Sequence, residues 1–170
     1  NILKYFAGHS LGEYSALVCS ESLEFEDALY LLHERGKAMQ EAVPVGQGSM
    51  LAILGLKPKE ILDLINSRSE KSGICEIAND NAEGQVIISG DKKSINLLQA
   101  TLKEKKIKSI PLKVSAPFHC SMMKPAAEKM NEKIYKTKFE IPKYKIINNV
   151  TAEALNDPNI IKKLLVEQIY

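Results

Sequence analysis

Between Phe25 and Val43 the apolar residues Phe25, Ala28, Leu29, Leu32, Met39 and Val43 return every three or four positions, and Pro44 and Gly46 end the run. That period predicts an amphipathic helix. Shorter apolar stretches read differently. Ile2 to Phe6 has the length of a strand, and the glycines at 8 and 12 turn it into a helix from Leu11 to about Cys19. "SMLAILGL" is a continuous apolar run of strand length, and Pro58 opens a helix carrying Ile61, Leu62 and Ile65 that fades near Ser72. Ile74 to Asn79 and Gln85 to Ser89 form two strands around the turn-rich "DNAEG". Asp91 then caps a helix carrying Ile95, Leu98 and Leu102, and "KSIPLKV" is a strand. The order from Met50 to Val114 is βαββαβ, a ferredoxin-like arrangement. After it come a helix from about Lys124 to Tyr135, a strand in "YKIINNV" and a last helix after Pro158. The expected class is α/β, with 1–47 and 115–170 forming one subdomain and 48–114 inserted as a second.

With 170 residues, 45% of them apolar, the chain can bury one substantial core or two small ones. Its 23 basic and 21 acidic residues leave a net charge of +2, and no Lys/Arg patch interleaved with aromatics suggests nucleic acid. A Lys-rich surface can still attract an acidic protein. No apolar stretch reaches the ~18 residues that span a bilayer. Cys19, Cys75 and Cys120 are an odd, widely spaced set with no CxxC pair and no cluster that would hold a metal, as expected of a reduced, cytoplasmic compartment or an organelle of bacterial origin. There is no initiator Met, and "NILKYFAG" reads as a strand already under way, so a piece of a longer protein is expected.

Gly8-His9-Ser10-Leu11-Gly12 satisfies GxSxG between strand and helix. This turn lifts the serine outward and aims the following N–H groups at the same spot, and a helix N-terminus favours developing negative charge. Ser10 is therefore either a nucleophile or a glycine-flanked turn serine. A nucleophile needs a base, and there are three histidines. His9 lies inside the elbow with its ring directed away from Ser10, and His33 falls at the edge of a polar helix face. His119, in the loop "SAPFHC" beside Pro117 and Phe118, is the best available base. No acidic residue lies near it in an obvious catalytic loop. At about 100° per residue, Arg35 falls in the middle of the apolar arc of its helix. It is either a buried ion-pair partner or, being with Arg68 one of only two arginines, a group selected for planar, bidentate carboxylate recognition. "VGQGSM" lacks the features of a phosphate loop and reads as a linker, and Met39, Met122, Met123 and Met130 read as core.

GHSLGEYSAL, RGKAMQ, NAEGQVIISG, SAPFHC and NNV, in that order, resemble the malonyl-CoA:acyl carrier protein transacylases, over Ile2 to Tyr170. The resemblance implies a hydrolase-like α/β subdomain carrying the ferredoxin-like one. It makes Ser10 the acylated nucleophile, His119 its base, the Leu11 N–H an oxyanion donor and Arg35 the clamp on the malonyl carboxylate. Gln168 would orient the histidine through its backbone carbonyl, and Phe118, Met39 and His9 complete the expected substrate-binding set. The implied partners are malonyl-CoA and acyl carrier protein, in fatty acid synthesis, by a monomer with no bound cofactor; coenzyme A enters only as a thioester substrate. The family's N-terminal GQGSQ loop is missing, since "GQGS" at 46–49 falls at the insertion, and the family chain continues past Gln168. Two other readings remain: a serine hydrolase or thioesterase using Asp80 or Asp91 as its acid, and an inactive module that binds acyl carrier protein.

Overall fold

Leu51 and Ile53 point to one face of β2 (Gly48–Leu54), Met50 and Ala52 point to the other, and all four are buried. A strand covered on both faces belongs inside its sheet. In the computed structural model, which describes residues 3–67 and 73–170, β2 lies between β4 (Gln85–Asp91) and β5 (Ser109–Pro111), and β3 (Cys75–Ala82) lies outside β4. All pairs are antiparallel, with Leu51 opposite Ile88 and Ile53 opposite Val86. One face packs against α3 (Pro58–Asn66) and α4 (Lys92–Glu104) through Leu51, Ile53, Ile61, Ile65, Val86, Ile88, Ile95, Leu98 and Leu102. Met50, Ala52 and Ile87 hold the other face, with Phe118 packed against them. The βαββαβ order expected from the sequence is present.

β3 runs further than expected, into the "DNA" of the supposed turn, and carries two bulges. As an edge strand it can present Asn79, Asp80 and Asn81 to solvent, which leaves only Glu83 and Gly84, the latter at φ +72, to make the turn. β5 keeps three residues of its expected seven, and its Pro111 sits at the other edge, where a missing N–H is tolerated. Asp91 caps α4 as expected, accepting from the Ser94 N–H at 2.9 Å. The expected strand start at Ile2 and the fading of α3 towards Ser72 lie outside the described residues.

The chain divides into two compact units, residues 1–38 with 126–169, and residues 39–125 with Tyr170. The borders differ from the expected 47/48 and 114/115. Segment 115–125 joins the four-stranded sheet because Pro117 occupies the space where a side chain of Gly48 would be, Phe118 covers the sheet's second face, and Glu76 accepts from the Ser121 N–H and hydroxyl, both at 2.7 Å. Gly48, part of the "GQGS" that resembles a catalytic loop, thus has a packing role.

In the first unit β1 (Tyr5–Ala7) pairs in parallel with β6 (Lys145–Ile147), and the two-residue β7 (Ala154–Leu155) adds antiparallel to β6. α1 (Gly12–Cys19) packs on β1 and β6. The strand expected through "YKIINNV" stops at Ile147 because the Asn148 Oδ1 accepts from the N–H groups of Val150 and Thr151 at 2.8 and 3.1 Å, which turns the chain. α2 (Phe25–Glu41) buries Ala28, Leu31, Arg35, Ala38 and Met39 and turns Phe25 and Leu29 to solvent. Its apolar arc is wider than the stripe it buries, so packing, not period, chose the inward side. α5 (Lys124–Lys136) and α6 (Pro158–Glu167) lie where expected.

Candidate active site

Ser10 sits between β1 and α1 with φ +51, a left-handed conformation that non-glycine residues rarely adopt. The turn is tight: a Cβ on Gly8 would lie 2.0 Å from the Gly12 carbonyl oxygen, whereas one on Gly12 would meet nothing within 4 Å. Only the first glycine of the motif is therefore sterically required. Asn149 bridges the strained residue, its Oδ1 accepting from the Ser10 N–H at 2.7 Å and its Nδ2 donating to the Gly8 carbonyl at 2.7 Å. Leu11 is the N-cap of α1, and among the described residues no protein group accepts from its N–H. That donor, beside Ser10 at a helix N-terminus, is open to an oxyanion.

A buried polar network lies behind the serine. Arg35, in the inward stripe of α2, donates from Nη2 to Ser10 Oγ at 2.8 Å and to Gln168 Oε1 at 3.0 Å. Gln168 follows α6 as its C-cap, and its Nε2 donates to Glu13 Oε2 at 2.8 Å. Glu13, in the first turn of α1 and without exposed surface, also accepts from Asn148 Nδ2 at 2.8 Å and from the Asn149 N–H at 3.2 Å. Burial pushes the Glu13 carboxyl above the usual carboxylate value, against the pull of these donors. Burial lowers the Arg35 pKa, opposed by Tyr14 and Glu13. The Tyr14 hydroxyl is buried without a hydrogen-bond partner, and burial pushes it up to about 12, so it is a neutral phenol.

Ser10, Leu11, Arg35 and Gln168 thus come together in the first unit. Gln168 contributes its side chain, where the expectation concerned only its backbone carbonyl. His119 belongs to the second unit, half-buried at φ +58 in a loop fixed by the contacts of Pro117, Phe118 and Ser121 described above. Met39 is buried, and His9 and His33 are exposed. Glu13, Asn148 and Asn149 were not expected. Glu13 stands four residues before the buried Leu17 and beside the buried Tyr14, so like Arg35 it is a charge in an apolar stripe, and helical spacing marks it equally.

Residues 4–168 match the family described as the acyl transferase domain. The chain belongs to that family. This acyl transferase domain is 42% identical over 167 residues to the malonyl CoA-acyl carrier protein transacylase of Bacillus subtilis, covering 98% of this chain and 53% of that protein. It superposes with a TM-score of 0.94 on the FabD crystal structure from Acinetobacter baumannii, at 46% identity, over 100% of this chain and 55% of the other. It matches equally, at 38% identity over 100% and 55%, a malonyl-transacylase solved in complex with its type II PKS acyl-carrier protein. The acyl transferase domain spans about half the length of these relatives. Among its described residues no group of His, Cys, Asp and Glu could hold a metal ion, and no helix is long and apolar enough to cross a membrane.

Proposed function

We propose that this chain carries the nucleophile and the selectivity element of a cytoplasmic malonyl-CoA:acyl carrier protein transacylase of fatty acid synthesis, working by a seryl-ester, ping-pong route. Ser10 Oγ attacks the thioester carbonyl of malonyl-CoA while His119 takes its proton. The Leu11 N–H holds the oxyanion of the tetrahedral intermediate, which collapses to the malonyl ester as the coenzyme A thiolate leaves and is protonated by His119. The phosphopantetheine thiol of the carrier then attacks the ester, and the same groups run the sequence in reverse. No metal or bound cofactor takes part.

The observation that carries this reading is Arg35: a buried guanidinium in a helix stripe, 2.8 Å from the hydroxyl of a strained elbow serine. A malonyl carboxylate entering such a site loses its hydration and needs a charge-assisted partner; an acetyl group does not. Likeness to relatives named as malonyl transacylases, one of them solved with its acyl-carrier protein, supports the choice of donor and acceptor. The test is intact-mass measurement of the full-length protein after mixing with malonyl-CoA. A malonyl adduct is expected on the wild type and none on Ser10→Ala, with His119→Ala acylating roughly 10²- to 10⁴-fold more slowly. An adduct retained by Ser10→Ala refutes the assignment.

A further inference from the structure

Gln168 stands between a buried carboxylate and a buried guanidinium. Its Nε2 donates to Glu13 Oε2 at 2.8 Å and its Oε1 accepts from Arg35 Nη2 at 3.0 Å. Glu13, Gln168 and Arg35 are 0, 7 and 6% exposed. Opposite charges so secluded from water ordinarily meet directly, because the two-pronged Arg–carboxylate pair is the strong geometry and weak screening increases its attraction. Here a neutral amide is interposed, and the guanidinium is left short of acceptors. Both of its hydrogen bonds to protein leave from Nη2, and Nε is buried with none. One of its two acceptors is Ser10 Oγ, the atom on which an acyl group would be carried.

We propose that Gln168 is a positioning residue acting as a neutral spacer: its side-chain amide holds Arg35 beside Ser10 while keeping Glu13 from neutralising it, so the guanidinium stays available to a carboxylate on the acyl group. The inference rests on the reading of Arg35 given under Proposed function and deepens it. The spacer has two polar ends and uses both, since Oε1 can only accept from the guanidinium and Nε2 can only donate to the carboxylate. A residue that merely filled the space would need neither. Glutamate has nearly the shape of glutamine, so Gln168→Glu sets a charge directly against Arg35 with little change in volume. It also confronts Glu13 with a second carboxylate. The double variant Glu13→Gln/Gln168→Glu avoids this: it keeps one negative charge and an amide–carboxylate pair but reverses their order, so that the carboxylate meets the guanidinium.

The measurement is kcat/KM for malonyl-CoA and for acetyl-CoA in the full-length protein, with thermal melting of each variant. The malonyl-over-acetyl ratio should fall at least about tenfold in both variants, the scale of losing one charge-assisted hydrogen bond to the substrate. A merely structural amide would lower both substrates alike. An unchanged ratio in the folded double variant overturns the proposal, as does loss of both substrates in both variants, which would make the amide a general support of the site. Failure of the wild type to form a malonyl ester on Ser10 would instead overturn the acyl-transfer reading.

Discussion

The two glycines of GxSxG should respond in opposite ways to the same added methyl group. In Gly8→Ala the new Cβ would stand 2.0 Å from the Gly12 oxygen, 2.1 Å from its carbonyl carbon and 2.8 Å from the Glu13 nitrogen, where ordinary contact begins at 3.4 Å. All three are backbone atoms of the first turn of α1, so no side chain can swing aside. The helix start must move away from β1, and Asn149, which bridges Gly8 and Ser10, must move with it. Overpacking of this kind costs about 1–3 kcal/mol or more. In Gly12→Ala the Cβ enters open space on a helical residue, where alanine is favoured over glycine by up to about 1 kcal/mol. The two variants should therefore differ by roughly 1–4 kcal/mol. Urea unfolding of the full-length proteins measures this difference, and acylation by malonyl-CoA shows whether Gly8→Ala also displaces Ser10 from Arg35. Equal losses for the two variants, or a neutral Gly8→Ala, would refute the view that close approach at Gly8 alone sets the elbow.

Arg35→Ala should lower kcat/KM for malonyl-CoA by about 30- to 1,000-fold, the cost of leaving a bound carboxylate unpaired, and affect acetyl-CoA far less; an equal fall for both would make Arg35 a structural partner only. Arg35→Lys should recover only part of the loss, since an ammonium cannot reproduce the planar fork. Because the native Glu13 carboxyl lies above its ordinary value of 4.5, the folded state holds that proton more tightly than the unfolded state. The stabilisation this brings is complete below 4.5 and is lost as pH rises through the native value. The stability advantage of wild type over Glu13→Gln should thus shrink with rising pH across that window, in paired denaturation curves; an advantage that grows with pH would reverse the sign of the burial effect.

Local rules were enough for much of this chain. Helical period and capping chemistry located α2, α4, α5 and α6, the apolar run at 49–56 marked the central strand, and the order of elements specified the ferredoxin-like unit, because each of these depends on neighbours within a turn or a strand. The glycine-flanked serine and the charge inside the α2 stripe were visible for the same reason. Tertiary packing decided the rest. Which part of the α2 arc faces inward, sending Phe25 and Leu29 outward, depends on what the helix packs against. The stop of β6 at Ile147 depends on the Asn148 side chain folding back on its own backbone, and the two-residue β7 exists only because β6 offers it an edge. The bond that brings Arg35 to Ser10 spans 25 residues, and the one that brings Gln168 to Glu13 spans 155. A sequence lists such donors and acceptors singly. Only burial, which withholds water from a carboxylate, an amide and a guanidinium and leaves protein groups to satisfy their hydrogen bonds, determines how they pair.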